Sequence, residues 1–445
     1  MISFKNVLAV LFLLAITVAS QDQIDIIKSK VENWNKWREE NPSVRPNLEG
    51  AHLEGADLRQ AHLEGAYLAG AHLWETNLDS SHLEGADLDS ADLRGADLRG
   101  VNLDSVNLWR IYLKAADFRG ADLWGANLQG ANFERANFAV AVLGGANLDS
   151  ANLDSANLAG ANLAGAFLRG VNFAKANLKG ANLKGADLRQ AHLEEACLAG
   201  AHLLEANFDN SCLQRANLDS DDLRGADFRG ANLDSANLAR ANLDSANLWR
   251  VRLEAADFSG ANLWGADLRG ADLDSANLAG ADLGGAYLDS ANLDSANLDS
   301  ANLAGAIIRG ATLREANLER ANLKGANLLV VCLQGAFLWK TDLRGADLRK
   351  ADLDSANLWG ADLRGARLWG ANLAEANLAG ANLENTDLSK VKSFYKAKLD
   401  PSVLSDIEAN WPEKLATIWD DTKETWVIDR TLLEKIKKPD LNGWQ

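Results

Sequence analysis

Histidine and cysteine are few in this chain, and they fall at fixed positions of a repeat. All six histidines, His52, His62, His72, His82, His192 and His202, immediately precede a leucine, and His52 and His72, like His62 and His82, lie twenty residues apart. Paired imidazoles could share a cation, but a zinc site uses three or four ligands, and the neighbours expected beside these pairs are Asn, Asp or other polar residues. They read as surface residues, with no metal site. Cys197, Cys212 and Cys332 take the same kind of position and do not form a disulfide framework; none has an obvious base that would make it a nucleophile. Asp221 stands where the surrounding pattern has a small residue. A buried carboxyl can be a tuned acid, but no second acid, His or Arg is forced beside it, so a local imperfection is expected. No phosphate-binding glycine loop or nucleophile elbow occurs. Neither catalytic residues nor a cofactor are expected, and the chain reads as a non-enzyme.

Eight tryptophans, Trp74, Trp109, Trp124, Trp249, Trp264, Trp339, Trp359 and Trp369, each directly follow a leucine. Exposed indoles are costly unless they meet something. Trp339 and Trp359, twenty residues apart, are the candidate surface contact, suited to a docking partner or a sugar ring. The competing reading lays the rings flat over neighbouring Ala and Gly.

These positions are ordered by a period of five. From Pro46 to Lys390 the chain forms 69 uninterrupted quintets centred on residues 48, 53 and onward to 388, every centre being Leu, Phe or Ile. A small residue, usually Ala, lies two before the centre, Asn or Asp usually lies one before, and polar residues or Gly follow. Such a period suits neither a helix, where successive leucines fall about 140° apart, nor a flat strand, where they alternate faces. The stretch AYLDSANLDSANLDSANLAG, residues 286–305, shows it most plainly.

This A-(D/N)-L-x-x pattern resembles the pentapeptide-repeat family, over about three quarters of the chain. The resemblance implies an all-β solenoid, a right-handed quadrilateral β-helix. A turn of about 90° per quintet closes a square coil in twenty residues, with the leucines on the axis and the small residues sharing a narrow interior. Coils stacked at roughly 4.8 Å would give about seventeen coils and a rod roughly 80 Å long. The slots flanking the centre then face outward, and residues twenty apart stack.

The flanks predict short α-helical caps at both ends. An amphipathic helix over about 23–40 carries Ile27, Val31, Trp34 and Trp37, followed by Pro42 and Pro46. After Lys390 the register slips by one at Ala397 and Leu399, and Asp400 as N-cap with Pro401 opens a helix bearing Val403, Leu404, Ile407 and Trp411. Residues 413–445, with Trp419, Trp426, Leu432, Leu433 and Ile436, are expected to add small packing elements. Domains are therefore read as 1–20 signal peptide, 21–45 capping helix and linker, 46–390 repeat β-helix, and 391–445 helical capping region. The leader reading rests on Lys5 ahead of the apolar run Val7 to Val18, ending in small residues. The run is short for a bilayer span, and a retained membrane anchor is the alternative.

Two longer segments recur: 57–79 at 187–209, and the segment starting at 107 again at 247. The offsets, 130 and 140, differ by two quintets. That half-coil slip would disturb any site tied to one outer face, which favours a loosely read surface or a spacer.

The 445 residues carry a formal net charge of −17, which repels nucleic acid and anionic membranes. Function therefore reads as an exported, secreted or periplasmic scaffold whose partner is a protein or cell-envelope component, without direct nucleic-acid binding and without a membrane span once the leader is cleaved. Two alternatives stand. The resemblance implies that an acidic member can imitate duplex DNA and occupy a DNA-processing enzyme such as gyrase; the exposed aromatics suit an extracellular carbohydrate binder.

Overall fold

The computed structural model describes residues 20–103, 106–109, 111–420, 425–431 and 433. The expected leader falls outside these residues apart from Ser20, as do Leu432 and Ile436. The chain divides into two compact units, Met1–Asp222 and Leu223–Gln445.

In the first unit, helices α1 (Gln21–Ser29) and α2 (Val31–Glu40) precede the coils. The single helix expected from the sequence is broken at Lys30, whose backbone is extended at φ −164° and ψ 148°. Lysine is an ordinary helix former; separate anchoring decides the break. α1 is tied to the chain at Asn47, through the Ser20 N–H and the Gln23 side chain. α2 is tied to residues 60–64: the buried Trp34 indole donates to the His62 carbonyl at 2.9 Å, and Arg38 donates to the Glu64 carbonyl. The Asn35 amide accepts from the His62 N–H and donates to the Gln60 carbonyl, both at 2.9 Å, which is the pairing a neighbouring strand would supply.

The coils follow one rule. Residues before a centre bridge in parallel to the residue twenty further on along most of the coils, as His52 does to His72 and Asn152 to Asn172. Every side of a coil thus contributes one bridging residue rather than a long strand. The Leu153 N–H donates to the Asn172 carbonyl at 2.7 Å, and the Asn172 N–H donates back to Ala151 at 2.9 Å. The Ala156 N–H then returns to the Leu153 carbonyl at 3.0 Å, closing a turn whose second inner residue, Ser155, has φ +57°. Centres and small residues are almost wholly buried. Phe118 and Phe138, one coil apart, stack with centroids 4.6 Å apart, and Phe133 meets both edge-on. Thr76 fits a small slot because its hydroxyl donates to the Leu53 carbonyl at 2.8 Å.

The second unit repeats these coils and carries them beyond Lys390. Asn372 bridges to Ser393 and Asn377 to Lys398, 21 residues apart instead of twenty. The one-residue slip therefore interrupts the period without ending the pairing, and the fully buried Phe394 supplies the large core side chain. Helix α3 spans Pro401–Asn410 and buries Ile407. Asp400 occupies its N-cap position, yet its carboxylate accepts from the Gly380 N–H at 3.2 Å rather than from the helix. The region expected to be helical also contains an antiparallel hairpin, β1 (Thr417–Asp420) with β2 (Thr425–Ile428), in which Trp419 is paired with Trp426. Its β-branched and aromatic residues, TIW and TWVI, favour strands. The Phe394 N–H donates to the Lys414 carbonyl and the Ser393 hydroxyl to the Thr417 carbonyl, joining the last coil to this region.

Two substitutions test these assignments. Val330 is β-branched and exposed, yet has φ +60°, so Val330→Gly is expected to stabilise unit two by about 1 kcal/mol, read as a higher denaturation midpoint. Leu298→Asp puts a carboxylate in the dry core and is expected to unfold adjacent coils by circular dichroism and proteolysis. Asn297→Asp, by contrast, removes a single outer hydrogen bond worth about 1 kcal/mol.

Candidate functional site

Three kinds of quintet recur on the outer surface. In the first, Asn precedes the centre. Its Oδ1 accepts from the N–H two residues on, while its Nδ2 donates to the residue twenty back: Asn317 to Asn297 and Asn297 to Asn277, each at 3.1 Å, and Asn277 to Asp257 at 2.9 Å. These ladders were not foreseen from the sequence, and they give Asn297 a structural role.

In the second kind, Asp precedes the centre and Arg follows it, as in Asp342 with Arg344 and Asp347 with Arg349. The guanidinium holds each of these carboxyls below its usual range. No Asn precedes a centre that Arg follows, because the fork of Arg needs both carboxylate oxygens. Where Ile307 or Thr312 replaces Asp, Arg309 and Arg314 reach one coil back instead, to Asp289 at 2.7 Å and Asp294 at 3.2 Å.

In the third kind, His precedes the centre and Glu follows it. His52 Nδ1 lies 2.7 Å from Glu54 Oε1, and this hydrogen bond lowers the carboxyl pKa. The His52 and His72 rings stack at 4.5 Å, and His62 meets His82 edge-on at 5.1 Å. The carboxylates were missed in the sequence reading, although His-Leu-Glu in one quintet was the signal. They complete three-donor groups, with all donor atoms within 4.8 Å of one another, at His52, Glu54 and His72, at Glu64, His82 and Glu84, and at His192, Glu194 and Cys212. Among the polar neighbours expected beside the stacked histidines, glutamate supplies the third donor. Burial pushes the Cys212 thiol pKa up, and the Glu194 charge adds to it.

The aromatic candidate is brought together. Trp339 and Trp359 stack with centroids 5.9 Å apart, and the Lys340 ammonium lies 4.6 Å from the first ring and 5.9 Å from the second. Other indoles follow the flat-lying arrangement. Trp124 covers Gly144, where an added Cβ would come within 2.2 Å of the ring, and Trp264 covers Gly284, where it would come within 3.0 Å. Both pairs lie 140 residues apart, so the covering glycine belongs to the duplicated unit.

Asp221 is buried, as its slot requires. Its Oδ1 accepts from the Ala201 N–H at 3.0 Å, while Oδ2 has no hydrogen-bond partner. Burial pushes its pKa up to about 8, assisted by the Asp219 charge and opposed by the Ala201 and Gly200 amides. No reacting partner group is gathered around it among the described residues, so the geometry leaves it a core defect. Because the folded state holds this proton up to about pH 8, against an ordinary value of 3.8, its contribution to stability is lost as pH rises through that window, by ~1.4 kcal/mol per pH unit. Denaturation of Asp221→Ala should lack this loss; an unchanged pH slope would refute the assignment.

The family model described as "Pentapeptide repeats (8 copies)" matches residues 47–85, 75–110, 116–154, 151–190, 186–220, 222–260, 252–289, 291–328, 332–370, 356–392 and 370–406. Among solved structures, the chain is similar to HetL of Nostoc sp. strain PCC 7120, a pentapeptide repeat protein involved in heterocyst differentiation regulation. The two are 38% identical over 49% of this chain and 90% of that one, with a TM-score of 0.22. It is similar also to Rfr23 of Cyanothece 51142, at 30% identity over 26% of this chain and 64% of that one, TM-score 0.18. QnrB1, a plasmid-mediated fluoroquinolone resistance protein, shares 17% identity over 52% of this chain and 90% of that one, TM-score 0.16. No curated protein matches the chain. With repeat matches spread over residues 47–406 and the quintet rule kept by its coils, the chain belongs to the pentapeptide-repeat family.

Proposed function

We propose that this chain is an exported, non-enzymatic β-helical scaffold that docks a protein of the cell envelope through the face at Trp339 and Trp359. The observation that carries the reading is that pair: two indoles stacked on one outer face beside the Lys340 ammonium, tryptophan being the residue type most favoured at the centres of protein interfaces. In this reading the β-helix is right-handed, and the flanking elements serve as caps. Asn35, Gln23 and Arg38 satisfy backbone groups of the first coils, and Asp400 and Lys414 those of the last, which blocks edge-to-edge pairing. Export rests on Lys5 and the apolar run Val7 to Val18.

The net charge of −17 favours a second reading, imitation of DNA toward a DNA-processing enzyme. Pairing of Asp with Arg inside the same quintet works against it, because it neutralises the carboxylates a phosphate mimic would need.

The immobilised mature chain is expected to retain an envelope protein from a membrane and periplasm extract. Trp339→Ala with Trp359→Ala should lower retention at least tenfold, while Trp369→Ala, a separate exposed indole, should not. Equal retention by the double variant overturns the docking face, and retention of a soluble polysaccharide instead makes the chain a carbohydrate binder. Full-length protein found in the cytosol with its first twenty residues intact would remove export, and inhibition of gyrase supercoiling would then favour DNA mimicry.

A further inference from the structure

We propose that His192, Glu194 and Cys212 form a binding site for a divalent transition cation of the Zn2+ class. Their donor atoms, an imidazole nitrogen, a carboxylate oxygen and a thiol sulfur, all lie within 4.8 Å of one another. A tetrahedral zinc ion holds such donors roughly 3.5 Å apart, so small side-chain rotations complete the geometry. The backbone supplies the preorganisation. His192 and Cys212 are bridged partners on adjacent coils, and Glu194 lies two residues after His192, across the inward Leu193, so all three project from the same outer face of a rigid ladder.

A separate observation comes from the adjoining side chain in the next coil. Gln214, in the quintet of Cys212 and one coil beyond Glu194, has an Oε1 that is shielded from solvent and has no hydrogen-bond partner. A buried amide oxygen requires a donor or a cation, and in the proposed site it would serve as a fourth donor beside the N, O and S set. Charge agrees: thiolate and carboxylate together balance a divalent ion. The neighbouring guanidinium of Arg215 is directed to Glu195, at 3.9 Å.

The other two donor groups are less suited. Arg38 lies 3.6 Å from Glu64 and competes for its carboxylate. His52 is closely bonded to Glu54 at 2.7 Å, whereas His192 Nδ1 and Glu194 Oε1 are 3.4 Å apart. Sulfur selects Zn2+ or Co2+ over Mg2+ or Ca2+. On binding, a metal–Sγ bond replaces the S–H bond and the proton passes to solvent.

Titration of the metal-free full chain with Co2+ is expected to give a thiolate-to-cobalt charge-transfer band that saturates at one equivalent and is abolished by Zn2+. Cys212→Ser should remove the band, while Cys197→Ser and Cys332→Ser should keep it. His192→Asn, which installs the commonest residue of that slot and so preserves the coil, and Glu194→Gln should each weaken binding at least tenfold. Absence of the band in the native chain, its persistence in Cys212→Ser, or unchanged affinity in both His192→Asn and Glu194→Gln overturns the proposal.

Discussion

The structure depends on the narrowness of the coil interior. Each quintet can place one large apolar side chain and one small one inside, and nothing else fits, because the backbone hydrogen bonds to the coils on either side fix the wall. The N–H of the centre and the N–H before it pair in opposite directions along the stack, as at Leu153 and Asn172. The Ser81 hydroxyl is buried inside without a partner; other inward polar groups pair with the wall itself. Thr76 does so through the Leu53 carbonyl. Asp221 satisfies one oxygen and leaves the other unpaired, and retention of its proton is the physical consequence.

The same constraint frees the exterior. Slots beside the centre carry no core packing, so their residues answer only to their own quintet and to the residue one coil away. Asn is used where a ladder of side-chain amides can run along the stack, and Asp where an Arg follows to occupy both carboxylate oxygens. His with Glu reverses the order of charge. Repetition then creates proximity without any dedicated loop: residues twenty apart become neighbours, which is how His192 comes to face Cys212 and Trp339 to face Trp359. A site on this fold is a coincidence of column and quintet, and it gains rigidity from the ladder beneath it.

Much of this was legible before any coordinates. The period of five, the inward leucines, the small second core position, the stacking of Trp339 on Trp359 and the burial of Asp221 all follow from one geometric rule applied along the sequence. The rule failed where the chain leaves it. The break at Lys30 carries no local signal, since it arises from two helices anchored to different parts of the first coils. The bridges at Ser393 and Lys398 follow a slip that looked like an ending, because periodicity cannot distinguish a one-residue insertion from termination.

The sequence by itself determined the coil, because a strict repeat leaves each residue type only one slot where its size and polarity are tolerated. The tertiary structure decided which outer side chains actually meet. Glu194 was invisible as a neighbour of Cys212 because their approach depends on side-chain direction across two coils, and the Asn ladders depend on which way each amide turns. Period sets which backbones are neighbours; rotamers and hydrogen-bond direction set what those neighbours can hold.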